Sequence, residues 1–540
     1  MNDSLKNRFF SFSTEKNCYV YDKFSNSINR IDKDLFIEFE NGNFDTDTYS
    51  SKEKEQKLAF FLNQKEPVFS FHPDEKCYVS INLSSSCNMN CSYCFKVNQS
   101  RIKKDTLEEI FNYVTEEYYP NAKEFVFSVG YSSEPFLDLE LIDYLDELIA
   151  KKEGFLIHDE DFISVTPEEV LIKLLDLCGQ DAKLIINQEN CIESINTILE
   201  NIDINLFLDD SFLKKISAFY YNFLEISRVL CKSKRVQINR RIVEQLFYGK
   251  IKIFDCKQYY TICFMTNGFN ISPRIINYLK MRLLNNICIS LDGSKEIHDL
   301  YRKDQKGSGT YDKIIKNITL LQKSGIEVYV SCVITPNSIN LIEIFEHLLS
   351  IGIVKIDFHY MRNVKIEKCF TVESIELLNM EINRLYKKLK NDLQMNDYRL
   401  LKALIDSKLF FFLRLIVKRQ FNLSRCKWGY EIIFDTKGNI YPCQYMLRFP
   451  EKKLSHYMDS RRLSEIQKPI YSNELDNCKT CWAEYICGGT CHYSSYVEEG
   501  DIYKTNRVEC KYNKNLIINT LDFCIFLIEN NLYKQVSEFL

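Results

Sequence analysis

Six short apolar runs rich in β-branched residues alternate with stretches of helical periodicity across the middle of the chain. The apolar runs lie at 78–83, 124–130, 260–266, 286–292, 328–334 and 354–360. The helical stretches between them lie at 107–118, 139–150, 273–284, 311–323 and 339–350. Strands buried on both faces that alternate with helices form parallel βαβ units. No GxGxxG follows the first strand, so we predict an α/β fold with a partial (β/α)6 TIM-like barrel rather than a Rossmann sheet.

The rest of the chain flanks or interrupts this barrel. About 130 residues separate the second and third strands, far more than one connecting helix needs, so we predict an insertion there. After the sixth strand come helical patterns and then a turn-rich, cysteine-dense segment. The predicted domains are a small N-terminal domain (1–70), the barrel (76–365) with a helical insertion (151–256), a helical bridge (366–420), a cysteine-rich domain (421–515) and a helical tail (516–540).

The composition excludes several classes of protein. With 70 basic and 74 acidic residues the formal net charge is −4, which argues against a nucleic-acid binder. No apolar run reaches the length of about 18 residues that a membrane span needs, and the polar start lacks a secretory signal. The 21 cysteines are an odd number in a long chain. They therefore favour a cytoplasmic metal-binding protein over a disulfide scaffold.

Three of these cysteines follow the first predicted strand, at the end of a barrel where the functional loops lie. Cys87, Cys91 and Cys94 have the spacing CxxxCxxC. Three thiolates on one loop can ligate three irons of a [4Fe–4S] cluster and leave the fourth open to a non-protein ligand. A structural zinc site is the alternative, but it requires four ligands, and no nearby His or Cys completes this one.

This motif and the six βα units resemble the radical S-adenosylmethionine (SAM) enzymes. In that family SAM chelates the open iron through its amino and carboxylate groups. An electron from the cluster then releases a 5′-deoxyadenosyl radical, which abstracts a hydrogen atom from the substrate. The resemblance implies an oxidoreductase in which Cys87, Cys91 and Cys94 are catalytic. It also implies SAM as cofactor and an electron donor of the flavodoxin or ferredoxin type.

Loops after the later strands resemble the SAM-binding loops of this family. Residues 130–135 are similar to its Gly-Gly-Glu-Pro loop, with Ser132 and Ser133 in place of the two glycines. By this resemblance the Glu134 carboxylate would accept a charge-assisted hydrogen bond from the SAM ammonium. The other SAM contacts that the resemblance implies are Tyr93, Asn267, Ser290, Asp292 and Arg302.

A second group of seven spaced cysteines resembles the SPASM extension of radical SAM enzymes, which holds two auxiliary [4Fe–4S] clusters. Its core is a CX2CX5CX3C pattern near the C-terminus. The resemblance implies three [4Fe–4S] clusters in all. It assigns one auxiliary cluster to Cys478, Cys481, Cys487 and Cys510, and the other to Cys426, Cys443 and Cys491.

Seven cysteines are one fewer than two closed clusters require. Either the cluster on Cys426, Cys443 and Cys491 has an open iron that can bind a substrate thiolate, or a distant residue such as Cys369 supplies the fourth ligand. These two alternatives stay open at this point.

The resemblance also narrows the reaction. In anaerobic sulfatase-maturating enzymes an Asp acting as general base follows the cysteine that corresponds to Cys443. Here Gln444 stands there, and an amide cannot accept a proton at neutral pH. We therefore expect a maturase that installs a thioether or carbon–carbon crosslink in a ribosomally made precursor peptide, with residues 1–70 as a leader-binding domain. The alternatives are a formylglycine-type or other SPASM dehydrogenase, a peptide epimerase, and a non-catalytic iron–sulfur electron carrier.

Overall fold

The computed structural model describes the barrel, the bridge, most of the cysteine-rich domain and part of the N-terminal domain. The described residues are 7–41, 65–67, 76–122, 124–130, 133–153, 259–281, 286–362, 369–426, 428–459 and 468–540. The predicted insertion (151–256), apart from its first three residues, lies outside them, as does Ser132.

A small antiparallel sheet and one helix form the N-terminal domain. The elements are β1 (Phe9–Ser13), β2 (Cys18–Asp22), β3 (Ser27–Ile31) and α1 (Lys33–Asn41). Strand β1 pairs with β2 along its whole length, and β3 pairs with β2 on the other side. The sheet packs on the cysteine-rich domain, since the Phe10 ring stacks on Trp482 with centroids 4.2 Å apart. Lys23 Nζ also forms a buried ion pair, 3.0 Å long, with Glu484.

Six parallel strands in sequential order form the barrel wall. They are β4 (Lys76–Ile81), β5 (Glu124–Val129), β6 (Tyr259–Thr266), β7 (Asn286–Ser290), β8 (Glu327–Ile334) and β9 (Ile356–Tyr360). The helices that alternate with them are α2 (Lys104–Asn112), α3 (Leu139–Glu153), α4 (Pro273–Met281), α5 (Lys295–Tyr301), α6 (Tyr311–Lys323) and α7 (Leu341–Ser350). The predicted α/β partial barrel is confirmed, and only the short helix α5 was not predicted.

The two faces of each barrel strand have different roles. On β9, Ile356, Phe358 and Tyr360 are buried in the main core beneath the helices. Because side chains alternate along a strand, Asp357 and His359 point to the opposite face, inside the barrel. Each fully buried aliphatic or aromatic side chain stabilises the fold by about 1.5–3 kcal/mol. The outer face therefore holds the wall together and leaves the inner face for polar groups.

The C-terminal part begins with helices and ends in short strands, turns and one long helix. Its helices and strands are α8 (Val372–Gln394), α9 (Arg399–Leu404), α10 (Phe411–Val417), β10 (Glu431–Phe434), β11 (Asn439–Tyr441), β12 (Ser455–His456), α11 (Glu484–Cys487), α12 (His492–Glu499), α13 (Arg507–Glu529) and α14 (Tyr533–Ser537). Helix α13 runs without a break across residue 516, where the sequence patterns placed the start of the tail. No helix in the described part of the chain is both long enough and apolar enough to cross a bilayer.

A β-hairpin of the cysteine-rich domain joins the barrel directly. Strand β10 pairs in parallel with β4, and β11 and β12 follow as antiparallel neighbours. Nine strands thus form one sheet, in the order β12-β11-β10-β4-β5-β6-β7-β8-β9. At the turn between β10 and β11, Gly438 has φ of +82°, a conformation that glycine adopts without strain. This pairing fixes the position of Cys443, just after β11, relative to the barrel.

Candidate active site

Residues 87–94, called the SAM loop below, leave the barrel directly after β4. Gln305 Nε2 donates hydrogen bonds of 2.9 Å to the carbonyl oxygens of Cys87 and Met89. Cys87 and Cys91 are half-buried, whereas Cys94 is exposed. The loop is therefore anchored at its backbone and open on the side of its third cysteine.

The three thiols of the SAM loop influence one another. The pKa of the Cys91 thiol is raised to about 11, mainly by burial and in smaller part by Cys94 and Cys87, although the Arg302 guanidinium opposes the rise. Within the described part of the chain, no three His, Cys, Asp or Glu side chains converge on a single metal ion. Three mutually repelling thiolates that share a neighbourhood without meeting at one point fit a multi-iron cluster, whose positive charge would stabilise them.

Glu134 lies buried behind the SAM loop, with 2% of its surface exposed. Its carboxylate accepts hydrogen bonds from Thr266 Oγ1 (2.6 Å) and from the backbone N–H of Asn267 (2.8 Å). Burial raises its pKa to about 7 even though both hydrogen bonds favour the charged form. Among the described residues no cation pairs with this carboxylate. A ligand ammonium would fit here, because it would supply the missing charge.

Two glycine-containing turns bring Glu134 and Asn267 to the SAM loop. Gly130 has φ of +96°, and a Cβ there would lie 2.7 Å from Pro135. After β6, Asn267 Nδ2 donates hydrogen bonds to Asn88 Oδ1 (2.8 Å) and Cys87 Sγ (3.6 Å). The predicted loops after β5 and β6 thus meet the cysteines.

Asp292, Arg302 and Tyr93 form one buried network next to the SAM loop. Arg302 donates two hydrogen bonds to the Asp292 carboxylate, from Nε (2.8 Å) and Nη2 (3.1 Å). The Tyr93 hydroxyl also donates to this carboxylate, and the Arg302 guanidinium lies 5.3 Å from the Tyr93 ring centroid. Burial would raise the pKa of Asp292, but Arg302 outweighs it and holds the pKa below its usual value. Asp292 therefore orients Arg302. Ser290, the last residue of β7, lies two residues before Asp292.

His298 belongs to this network but was not predicted to have a role. Its Nδ1 lies 3.3 Å from the backbone nitrogen of Asp292, and its Nε2 lies 3.0 Å from Thr310 Oγ1. Burial lowers its pKa to about 4, so the ring is neutral and supports the backbone. The sequence offered no signal for this role, because the short helix α5 that carries His298 was not predicted.

The C-terminal cysteines, residues 426–510, called the auxiliary segment below, separate into two groups. In the first group, burial raises the pKa of the Cys478 thiol, and three other cysteines raise it further. Those cysteines are Cys487, Cys481 and Cys510. In the second group, burial raises the pKa of Cys443, and Cys491 and Cys426 add to the rise. The two groups match the ligand sets implied by the resemblance, and their binding of clusters remains a proposal.

Cys369 lies near the second group. Burial raises the pKa of Tyr493 to about 12, and Cys369 and Cys491 both contribute to the rise. Cys369 therefore lies in the neighbourhood of this group.

A buried ion pair that the sequence did not reveal holds the second group against the barrel. Arg362, two residues beyond β9, donates from Nε to Glu509 Oε1 over 2.9 Å. Glu509 Oε2 accepts a 2.6 Å hydrogen bond from the backbone N–H of Cys491. Burial opposes ionisation of Glu509, but Arg362 and these hydrogen bonds lower its pKa to about 2. No local pattern could have paired residues 147 positions apart.

Gln444 occupies the place where sulfatase-maturating enzymes carry their proposed base. Its Nε2 donates a 2.7 Å hydrogen bond to Asn82 Oδ1, and Asn82 Nδ2 donates to the Phe434 carbonyl over 2.8 Å. The amide thus ties the cysteine hairpin to the end of the first barrel strand.

Sequence comparison relates the chain to known maturation enzymes, although no family model matches it. A cysteine-type anaerobic sulfatase-maturating enzyme of Clostridium novyi is 26% identical over 262 residues, 45% of this chain and 67% of that enzyme. The chain is a homologue of the anaerobic sulfatase-maturating enzymes. An enzyme with the same description from Clostridium perfringens, a cysteine-type anaerobic sulfatase-maturating enzyme, is 33% identical over only 91 residues. This match covers 17% of this chain and 22% of that enzyme.

Solved structures of the same kind share the fold. The sulfatase-maturating enzyme anSMEcpe with bound AdoMet, which is SAM, superposes with a TM-score of 0.53 at 16% identity, covering 84% of this chain and 99% of that one. A further structure of anSMEcpe contains AdoMet and a peptide called Kp18Cys. SuiB of Streptococcus suis, bound to its precursor peptide SuiA, reaches a TM-score of only 0.40. The predicted relationship to the sulfatase-maturating enzymes is confirmed by sequence homology, and the predicted fold by the structural likeness.

Proposed function

We propose that this homologue of the sulfatase-maturating enzymes is a peptide maturase that installs a thioether or carbon–carbon crosslink in a ribosomally made precursor. The observation that carries the proposal is Gln444, a hydrogen-bonded amide where a formylglycine-forming relative carries a carboxylate. A crosslinking reaction removes two hydrogens and does not require a base at that position.

The residues of the SAM pocket fit SAM and a [4Fe–4S] cluster. Cys87, Cys91 and Cys94 would hold three irons, and the buried Glu134 carboxylate would accept the SAM ammonium. Bound together, the reduced cluster and SAM supply a radical that removes a hydrogen atom from the substrate. The part of Asp292 is to keep Arg302 oriented by two hydrogen bonds. Tyr93, Asn267 and Ser290 complete the proposed pocket.

The auxiliary segment would hold two further clusters. Cys478, Cys481, Cys487 and Cys510 would close one of them, and the group around Cys443 would hold the other, with or without Cys369. These clusters would carry away the surplus electron, and a cytoplasmic donor of the flavodoxin or ferredoxin type would reduce the SAM cluster. The N-terminal sheet docks on this segment through Lys23, which also donates to the Cys481 carbonyl over 3.3 Å. This contact would place a bound leader peptide beside the auxiliary clusters.

Formylglycine formation is the second candidate, because the sequence homology is to enzymes of that name. A peptide epimerase is the third. One experiment separates the three: the reconstituted protein is incubated anaerobically with SAM, dithionite and synthetic precursor peptides that contain cysteine, and the peptides are weighed. A loss of about two mass units per bond indicates crosslinking, since two hydrogens leave. Exchange of sulfur for oxygen together with the loss of two hydrogens indicates formylglycine, and deuterium uptake without any other change of composition indicates epimerisation.

A further inference from the structure

Three polar side chains form a chain of contacts on the inner face of the last barrel strand. Asp357 and His359 are on β9, and Lys408 starts a short 3-10 turn in the bridge, just before α10. Lys408 Nζ lies 2.5 Å from His359 Nδ1, and His359 Nε2 lies 3.2 Å from Asp357 Oδ2. The backbone N–H of Lys408 also donates to Asp357 Oδ1 over 3.1 Å, so the bridge is fixed to the strand at this point.

These three side chains lie between the proposed SAM pocket and the second cysteine group. Strand pairing places Ser290 opposite Ser331, and Ser331 opposite Asp357. At a spacing of 4.7–4.9 Å per strand, Asp357 is roughly 10 Å across the sheet from the proposed SAM contact Ser290. On its other side, Lys408 is close enough to Cys491 for the thiol to influence its charge. A substrate residue between the SAM pocket and the second cysteine group would therefore meet Lys408.

The surroundings of Lys408 increase the fraction of neutral amine, which can accept a proton. Its side chain is accessible to solvent although many protein atoms lie around it. Burial, with the nearby Arg362 and Arg425, lowers its pKa to about 8, while Asp357 and Cys491 oppose that shift. Burial and Lys408 lower the pKa of His359. A neutral His359 can accept a hydrogen bond from Lys408 at Nδ1 and donate one to Asp357 from Nε2. It therefore connects the Asp357 carboxylate to the amine.

We propose that Lys408 accepts the proton that the peptide substrate loses, with His359 and Asp357 as positioning residues. This inference rests on the proposed function. Lys408 would be the general base of the reaction, a role that the Gln444 amide cannot fill. The S–H or O–H bond of the substrate breaks, its electron pair stays on sulfur or oxygen, and the proton joins the lone pair of Lys408 Nζ. Asp357 then stabilises the new ammonium through His359.

The first test needs no substrate. The full-length reconstituted protein is labelled with acetic anhydride between pH 6 and 10, and each lysine is followed by peptide mass spectrometry. Exposed Lys418, on the same bridge, is the internal reference. Lys408 should become half-reactive near pH 8. Asp357→Asn should lower that midpoint, because it removes the negative charge that favours the ammonium. If Lys408 follows Lys418, or if Asp357→Asn leaves the midpoint in place, the proposal is wrong.

The second test measures coupling with a single-cysteine peptide as probe. The ratio of modified peptide to 5′-deoxyadenosine should fall by about tenfold or more in Lys408→Met, within the range for loss of a general base. Lys408→Arg should not restore it, since guanidinium stays charged, and Lys418→Met should match the wild type. An unchanged ratio in Lys408→Met overturns the proposal. No 5′-deoxyadenosine from the wild type would instead overturn the proposed function, and the labelling result would still decide the chemistry of Lys408.

Discussion

The SAM loop and the auxiliary segment both present cysteines, but they are built differently. The SAM loop places three cysteines within eight residues on one loop, and its last thiol is exposed. The auxiliary segment collects cysteines from separate turns and helices and surrounds the second group with aromatic side chains such as Trp428 and Tyr493. Buried ion pairs, Arg362–Glu509 and Lys23–Glu484, lie against its cysteines.

The difference indicates that the two regions bind different kinds of ligand. Beside the SAM loop, Glu134 is a buried carboxylate that lacks a cationic partner among the described residues, so this region is prepared for a ligand that arrives and leaves. In the auxiliary segment two buried carboxylates next to the cysteines are already paired with cations, Glu509 with Arg362 and Glu484 with Lys23. That region is suited to permanent cofactors whose surroundings do not change during turnover.

The largest expected effect is on SAM cleavage. Replacing Cys87, Cys91 and Cys94 by Ala should reduce 5′-deoxyadenosine to background and remove about one third of the iron, if each of three clusters holds four irons. The matched variant with Ala at Cys426, Cys443 and Cys491 should lose a similar share of iron but keep some cleavage. Equal loss of cleavage in both variants would erase the functional distinction between the two regions.

The next effect concerns stability. Arg362→Met should destabilise the protein by about 3–5 kcal/mol, because it leaves the Glu509 carboxylate buried without its partner. Lys295→Met, which breaks exposed ion pairs with Asp299 and Asp312, should leave the urea midpoint close to that of the wild type. Urea unfolding of the metal-free proteins measures both. Similar midpoints for the two variants would show that the buried pair does not hold the auxiliary segment.

A smaller effect is expected on the affinity for SAM. Glu134→Gln should weaken binding roughly 10- to 100-fold, since a charge-assisted hydrogen bond contributes about 1.5–3 kcal/mol. Glu140→Gln, at an exposed carboxylate on α3, should bind SAM like the wild type. Calorimetric titration of the reconstituted proteins with SAM checks this. Wild-type affinity in Glu134→Gln would mean that the ammonium binds elsewhere.

The smallest expected effect is the pH dependence of the affinity for SAM. Burial raises the pKa of Glu134 to about 7 in the ligand-free protein, so the carboxyl is protonated at lower pH. The affinity for SAM should therefore fall by up to about tenfold for each pH unit below 7 and level off above it. Before SAM binds, the sign for stability is opposite. A raised pKa stabilises the fold below the ordinary value of 4.5, and this contribution is lost as the pH rises through 7. A flat affinity profile between pH 6 and 8 would contradict the account.

The barrel and the auxiliary segment also differ in how far the sequence predicts them. The six strands, and loops such as that of Glu134, follow from local periodicity and from short motifs after each strand. In the auxiliary segment the resemblance supplied the cysteine sets, but Arg362–Glu509 and the pairing of β10 with β4 join distant parts of the chain. Likewise, the contact of Lys408 with His359 depends on how the bridge folds back onto β9. Spacing along a chain carries no information about such contacts.

The most direct test of the account is the formation of 5′-deoxyadenosine from SAM by the anaerobically reconstituted protein with dithionite. The account predicts that it forms, and that it disappears when Cys87, Cys91 and Cys94 are replaced. A wild-type protein that retains its full iron content but forms no 5′-deoxyadenosine would contradict the account and favour an electron carrier.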